Sequence, residues 1–334
     1  MRRQKKFFQW GSLLIVMGFL MIMAGFLLGG KDYVAQADLN NLNWNQQTAI
    51  PGEVSVEKEP LADFTTIDIQ FTRADIAVVP STNEQAFLSY HIVNPNNGGE
   101  IDYQVENSKL TIQQGTTKKN FVSIDLSFIQ YLFNSDAIKA GQETKLTLYL
   151  PQKTYDQVAV DNELGAITIQ NLTAKEVELE SSTGAIDITN SQFEVFNSQN
   201  SLGKLSVSQS QWQKGELATD TGLITLEAVT ARNSQIQSDL GAINLVDSSF
   251  EDSTFKTDTG HIRSQSTDFT GKTKVTTDLG RLSFDFTEER LATTNFTIKS
   301  DLGKITTPPQ LEIKDKNRPD SFDVKSDTGS ITIQ

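Results

Sequence analysis

Between residues 151 and 334 apolar and polar positions alternate around a glycine that keeps returning, at Gly165, Gly184, Gly203, Gly222, Gly241, Gly260, Gly280, Gly303 and Gly329. The first six are 19 residues apart, and the later gaps are 20, 23 and 26. Two residues after each glycine stands an aliphatic residue, from Ile167 and Ile186 through Leu205 and Ile224 to Ile305 and Ile331. Four residues after it the pattern repeats, with Ser264 and Thr307 as exceptions. Five residues before it the position is apolar in every repeat except at Ser198. Period two on both sides of a turn predicts two short strands per repeat, each with one buried face. β-branched residues dominate and no apolar period of 3.6 survives, which excludes helix. A coil of this kind cannot bury its apolar face alone, whereas stacked coils share one core. The expected fold is therefore all-β: a β-helix-like solenoid of stacked, two-stranded coils of ~19 residues. At about 4.8 Å per strand, nine coils make a rod on the order of 40 Å long.

The corner has its own chemistry. Asp220, Asp239, Asp258, Asp278, Asp301 and Asp327 each stand two places before the glycine. Glycine supplies a positive-φ corner, and aspartate bonds the backbone of the turn that it begins. Immediately before the glycine, Leu164, Thr183, Leu202, Thr221, Leu240, Thr259 and Leu279 alternate large with small. This fits an interdigitated core column, and equally a duplicated pair of repeats.

Upstream the pattern changes. Residues 61–150 form an N-terminal β region of alternating strands, with Asn107 and Ser108 as a hairpin turn. Its insertion, residues 117–143, places Ile124, Phe128, Leu132 and Phe133 on one helical face. That element is either a cap over the start of the solenoid or a surface for membrane or partner contact. Residues 31–60, Asn-rich and then proline-containing, are expected to be a polar linker. Residues 10–30 are apolar and long enough to span a bilayer as a helix. Arg2, Arg3, Lys5 and Lys6 in the tail 1–9 put the N-terminus in the cytoplasm. A cleaved signal peptide is the competing reading, since Ala35-Gln36-Ala37 resembles a cleavage site. Either way the remainder is exported: as a single-pass membrane protein with its C-terminal domain outside, or as a secreted form.

Composition narrows the chemistry. The 334 residues include no cysteine and two histidines, His91 and His261. Thiolate metal sites, disulfides and cysteine nucleophiles are excluded. The formal net charge is −13; the first 30 residues carry +4, which leaves −17 for the rest. That sign argues against nucleic acid. One carboxylate per coil is too few oxygen ligands for a calcium roll, so no metal or other cofactor is expected. Three residues after the glycine the outward positions are mostly small, as at Thr168, Ser206, Thr225, Asn244, Ser283, Thr306 and Thr332, with Asp187 and Arg263 as exceptions. Convergent acids for glycan cleavage are missing there, so a wall-glycan-acting β-helix enzyme is the weakest of the functional readings.

The repeated phrase of Ser or Asp, any residue, Gly, any residue, an aliphatic, following a strand that ends in Pro151, resembles the DUF4097 family of candidate adhesins. "FTTIDIQFTRADIAVVP" is similar to the family's opening coil, with Ala74 in the glycine position and Ile76 and Val78 on the core columns. The resemblance runs from about Leu61 to residue 334. It implies β-strand-repeat domains of bacterial envelope proteins, often behind one membrane helix, with binding, sensing or scaffolding roles and no catalytic residues. A non-enzymatic interaction or scaffold module of the envelope follows, in stress sensing or otherwise; an adhesin for host or neighbouring cells is the alternative. With no C-terminal wall-sorting segment a covalent wall anchor is not expected, and membrane tethering favours the first reading.

Two surface features follow from the repeat. One residue after the glycine, His261, Arg281 and Lys304 occupy successive late repeats, and Arg263 stands beside His261. This is a candidate stripe for an anionic wall polymer or lipid headgroup; pairing with the neighbouring aspartates is the alternative. The last strand, Ser330 to Gln334, is expected to leave an edge open to homo-association unless residues 308–320 fold over it.

Overall fold

The computed structural model describes residues 53–93, 101–114, 144–312 and 318–334. The strands are β1 (Glu53–Pro60), β2 (Thr66–Arg73), β3 (Asp75–Pro80), β4 (Phe87–Val93), β5 (Ile101–Glu106), β6 (Lys109–Gln114) and β7 (Lys145–Leu150) in the N-terminal region. The repeats follow as β8 (Thr154–Leu164) with β9 (Ile167–Gln170), β10 (Thr173–Thr183) with β11 (Ile186–Thr189), and β12 (Gln192–Leu202) with β13 (Leu205–Ser208). Next come β14 (Gln211–Glu227), β15 (Thr230–Arg232), β16 (Ser234–Val246), β17 (Ser249–Glu251), β18 (Thr254–Gln265), β19 (Asp268–Thr270) and β20 (Lys272–Phe284). A short helix, α1 (Glu288–Thr293), precedes β21 (Thr294–Leu302), β22 (Ile305–Thr306), β23 (Asp320–Thr328) and β24 (Ile331–Ile333).

The repeats stack in parallel and in register, as their 19-residue period demands. Ile186 lies between Ile167 and Leu205, and Ile224 faces Ile243. The apolar columns on both sides of the corner are buried, and one core runs through all the coils. Each coil is richer than two strands. From Thr230 onward β15, β17 and β19 form a separate ladder, a third inward side. Its column, ten residues before the corner glycine, holds Tyr155, Ala174, Phe193, Trp212, Ala231 and Phe250, all buried. Three residues rather than two separate this column from the next, as between Ala174 and Val177, so a strict search for period two passes over it.

The stacking order departs from the chain order at both ends. β2 and β3 pair with β8 and β9 on one side and with the later β6 and β7 on the other. Ala74 takes the corner position and is buried, with Ile76 and Val78 in the core. Beyond that coil β6 is covered by antiparallel β5, and β7 by antiparallel β4, which in turn carries β1. The β5–β6 turn has positive φ at both Asn107 and Ser108, the geometry of a tight hairpin. The expected linker therefore ends before residue 53: Val54 and Val56 alternate with polar residues and make Glu53–Pro60 an edge strand.

At the other end β23 and β24 insert between β20 and the β21–β22 pair. The expectation that Ser330–Gln334 forms the open edge is thus overturned, since that strand is paired on both sides. The outer rung is β21–β22. Helix α1 helps to fix it: Thr287 caps the helix, and Arg290 bridges Asp268 and Asp320, the latter at 2.9 Å. The expected membrane span and the apolar insertion lie outside the described residues. Among those residues no helix is long and apolar enough to cross a membrane.

Candidate functional site

The corner row explains why the glycine recurs. A Cβ at any of the nine glycines would overlap the backbone carbonyl of the adjoining corner, Ala74 in the case of Gly165. Each corner carbonyl points at the next corner's α-carbon, so the close approach of stacked backbones excludes a side chain. Positive φ is the lesser reason: Gly165, Gly184, Gly203 and Gly329 have it, and the other five do not lie in that region. The row runs in space from Gly260 through Gly280 and Gly329 to Gly303.

The lock on the corner is one residue earlier than the aspartate. The position three before the glycine is polar throughout and buried in every repeat except at Ser300, which is half-buried. Asn200 Nδ2 donates to Gly184 O at 2.9 Å, and Ser238 Oγ donates to Gly222 O at 3.1 Å. Asn162 and Ser300 bond their neighbouring corners in the same way, at 2.8 and 3.0 Å. Three of the six aspartates instead pair with a lysine two residues earlier on their own strands. Lys256 lies 2.8 Å from Asp258, Lys325 2.6 Å from Asp327 and Lys299 3.1 Å from Asp301. The hydrogen bond to Asp258 raises the Lys256 ammonium above its ordinary pKa, and that to Asp327 does the same for Lys325. Among the described residues no cluster of three or more metal-ligating side chains is assembled.

These ion pairs bear on the cationic stripe. His261 and Arg281 are register partners, one strand spacing apart, and Arg263 lies between Asn244 and Ser283 in the ladder. Lys304 does not follow Arg281 directly. Ser330 comes between them: its carbonyl accepts from Leu282 N–H on one side, and the next residue, Ile331, donates its N–H to Lys304 O on the other, because β24 occupies the intervening rung. All four cations are exposed, and none forms an ion pair or side-chain hydrogen bond among the described residues. No ion pair joins these side chains to the aspartate row among the described residues; Asp258, Asp301 and Asp327 pair instead with Lys256, Lys299 and Lys325.

The residue before the glycine corrects a second expectation. Leu164, Leu202, Leu240, Leu279 and Leu302 are not core; Leu240 is 55% exposed and Leu302 is 71% exposed. The position shares its parity with two buried columns, but the chain bends there and turns it outward. The register makes one continuous row of Leu164, Thr183, Leu202, Thr221, Leu240, Thr259, Leu279, Thr328 and Leu302. Alternation is kept in space by Thr328, although the order along the chain breaks it. The row of leucines flanks the cations. Ile124, Phe128, Leu132 and Phe133 lie outside the described residues.

Stacked parallel coils with a glycine corner, a continuous internal core and a decorated outer ridge define a β-solenoid. The chain belongs to the Toastrack DUF4097 family, whose match covers residues 64–334. Among solved structures the chain is similar to a candidate lipid-binding protein of Parabacteroides distasonis ATCC 8503, 13% identical over 86% of this chain and 98% of that one, with a TM-score of 0.46. A candidate adhesin of Bacteroides fragilis NCTC 9343 is 13% identical over 86% of this chain and 99% of its own, with a TM-score of 0.39. Another candidate adhesin from Parabacteroides distasonis ATCC 8503 is 12% identical over 85% and 98%, with a TM-score of 0.37. No curated protein matches the chain.

Proposed function

We propose that this protein is a non-enzymatic interaction and scaffold module of the bacterial envelope, tethered through residues 10–30 with its solenoid outside the cell. Its ligand on this reading is a phosphate-bearing polyanion, either a wall polymer or the headgroups of an anionic membrane. The observation that carries the reading is the patch of His261, Arg263, Arg281 and Lys304: four exposed cationic or protonatable side chains with no partner of their own among the described residues. The rest of the exported part is strongly acidic, at −17 once the +4 of the first 30 residues is removed from −13. A local cationic field on an acidic rod selects for anions at one place and repels them elsewhere. Arginine adds a planar donor fork suited to phosphate oxygens. Family membership supports the envelope setting, and the apolar run supports the tether.

The test replaces Arg263, Arg281 and Lys304 with Gln in the full chain. Binding to purified teichoic-acid-type polymer and to vesicles rich in phosphatidylglycerol is then measured across a salt series. The reading expects weaker binding and a shallower salt dependence in one of the two arms, and that arm names the source. Unchanged binding in both arms refutes it.

A further inference from the structure

The two ends of the solenoid are built differently. At the β6–β7 end antiparallel strands cover the parallel rung. At the other end no strand among the described residues pairs with the outer edge of β21 or β22. The core is only partly covered there, Leu311 of the turn Pro309–Glu312 packing against it. The column two residues after the glycine is fully buried in every other repeat, yet Ile305 is 41% exposed. Phe296 and Ile298 are only half-buried against the core. Arg318 bonds the carbonyls of Leu291 and Thr294 and so covers the first residue of the edge; Lys299 to Leu302 stay uncovered. An edge carrying apolar core positions is a template for another strand.

We infer that β21 is the contact of a twofold dimer, in which two copies of this chain join these ends by antiparallel pairing. The charges on the edge choose both the partner and the register. Lys299 and Asp301 point outward from β21, with Ser300 between them inward. Antiparallel pairing centred on Ser300 sets Lys299 opposite the partner's Asp301, and Asp301 opposite the partner's Lys299. Inward residues then remain over inward residues, as the strand period requires. A centre at Lys299 or at Asp301 would bring like charges together. Among the described residues, the free edges of β1 and β5 do not pair with themselves in this way. β1 carries Glu57 and Glu59 around a bulge at Lys58, and β5 carries Asp102 and Glu106. Twofold pairing centred between those residues would oppose acid to acid. The end rung is thus both unfinished in its core and self-complementary in charge.

The test uses the full chain purified in detergent, with association measured by analytical ultracentrifugation. The wild type is expected to dimerise. Lys299→Asp should weaken the dimer about tenfold, because two symmetry-related pairs turn repulsive. Lys299→Asp combined with Asp301→Lys restores opposite charges across the twofold and should restore the dimer. Circular dichroism confirms that each variant keeps its strands. A monomeric wild type, a dimer indifferent to Lys299→Asp, or a double reversal that fails to restore it would each overturn the inference.

Discussion

Changing Gly241 to Ala, next to a Leu240→Ala control, separates the two accounts of the corner. A Cβ at Gly241 would lie 2.8 Å from the Gly222 carbonyl carbon and 2.7 Å from Ser238 Oγ, besides overlapping the Gly222 oxygen. Ordinary contact begins near 3.4 Å. The obstacle is backbone held in register on both sides, so no side-chain rotation relieves it. Overpacking of this kind costs about 1–3 kcal/mol. Forcing the rungs apart also breaks the 3.1 Å bond from Ser238 to Gly222 O in a buried place. Leaving such groups unsatisfied costs about another 1–3 kcal/mol. Gly241→Ala should therefore destabilise by roughly 2–6 kcal/mol, a fall in melting temperature on the order of 10 °C. Leu240→Ala, one residue away, removes a side chain that is 55% exposed and should stay within about 0.5 kcal/mol. Had that leucine been a core residue, the cost would be about 2–5 kcal/mol. Thermal unfolding followed by circular dichroism, with hydrogen exchange at Ile224 and Ile243 to localise the damage, reads both. A mild Gly241→Ala together with a severe Leu240→Ala would refute the description of the corner.

Three further outcomes are expected. Trp212 Nε1 donates to the buried Ser234 Oγ at 2.8 Å, so Ser234→Ala strands the indole N–H and should cost about 1–3 kcal/mol, read by chemical denaturation with tryptophan fluorescence. The Tyr103 phenol is pushed up to about 12, first by its hydrogen bond to Glu59 and then by burial; a raised folded-state pKa stabilises the fold fully below about 10 and is lost as pH rises through about 12. Ultraviolet titration of Glu59→Gln should show one phenol returning toward its ordinary value, and an unchanged titration would remove that cause. Deleting residues 319–334 takes a rung from between β20 and β21 and removes Phe322 from its contacts with Phe269, Phe284, Phe286 and Phe296. Limited proteolysis should then cut within 286–307 while 154–284 resists, and continued protection of 294–306 would contradict the topology.

The repeat made the fold legible because one periodic constraint, parallel stacking in register, writes itself into every coil. Ile243 and Ile262 occupy equivalent positions and are buried for the same reason. Parity failed where the backbone bends. Leu240 counts as inward by alternation from Ile236 and Ser238, yet the corner turns it out. The third side was hidden for the opposite reason: Ala231 and Phe250 sit in segments of three residues, too short to show a period. The cationic patch was visible as residue types. Its lack of internal partners was not, because sequence spacing does not show that Asp258, Asp301 and Asp327 pair with lysines of their own strands. Sequence spacing also placed Lys304 next to Arg281, and only the register shows Ser330 between them.

The interleaved ends bear on both proposals. A solenoid that ended each turn in chain order would hold its last rung on one side only, and such a rung frays. Here β23 and β24 are bonded on both sides, so they cannot leave without opening two ladders. The outermost rung, β21–β22, is in turn anchored at its start by α1, whose Arg290 bridges Asp268 and Asp320. An exposed edge held in this way keeps a defined register, which antiparallel pairing with a second copy requires. The same interleaving sets the spacing of the patch: Ser330 places Lys304 two strand spacings, about 9.6 Å, from Arg281. Charges that far apart repel one another less than adjacent ones while still addressing separate phosphates of one chain. The rung that closes the solenoid therefore also sets how far apart the cations stand for a polyanionic ligand.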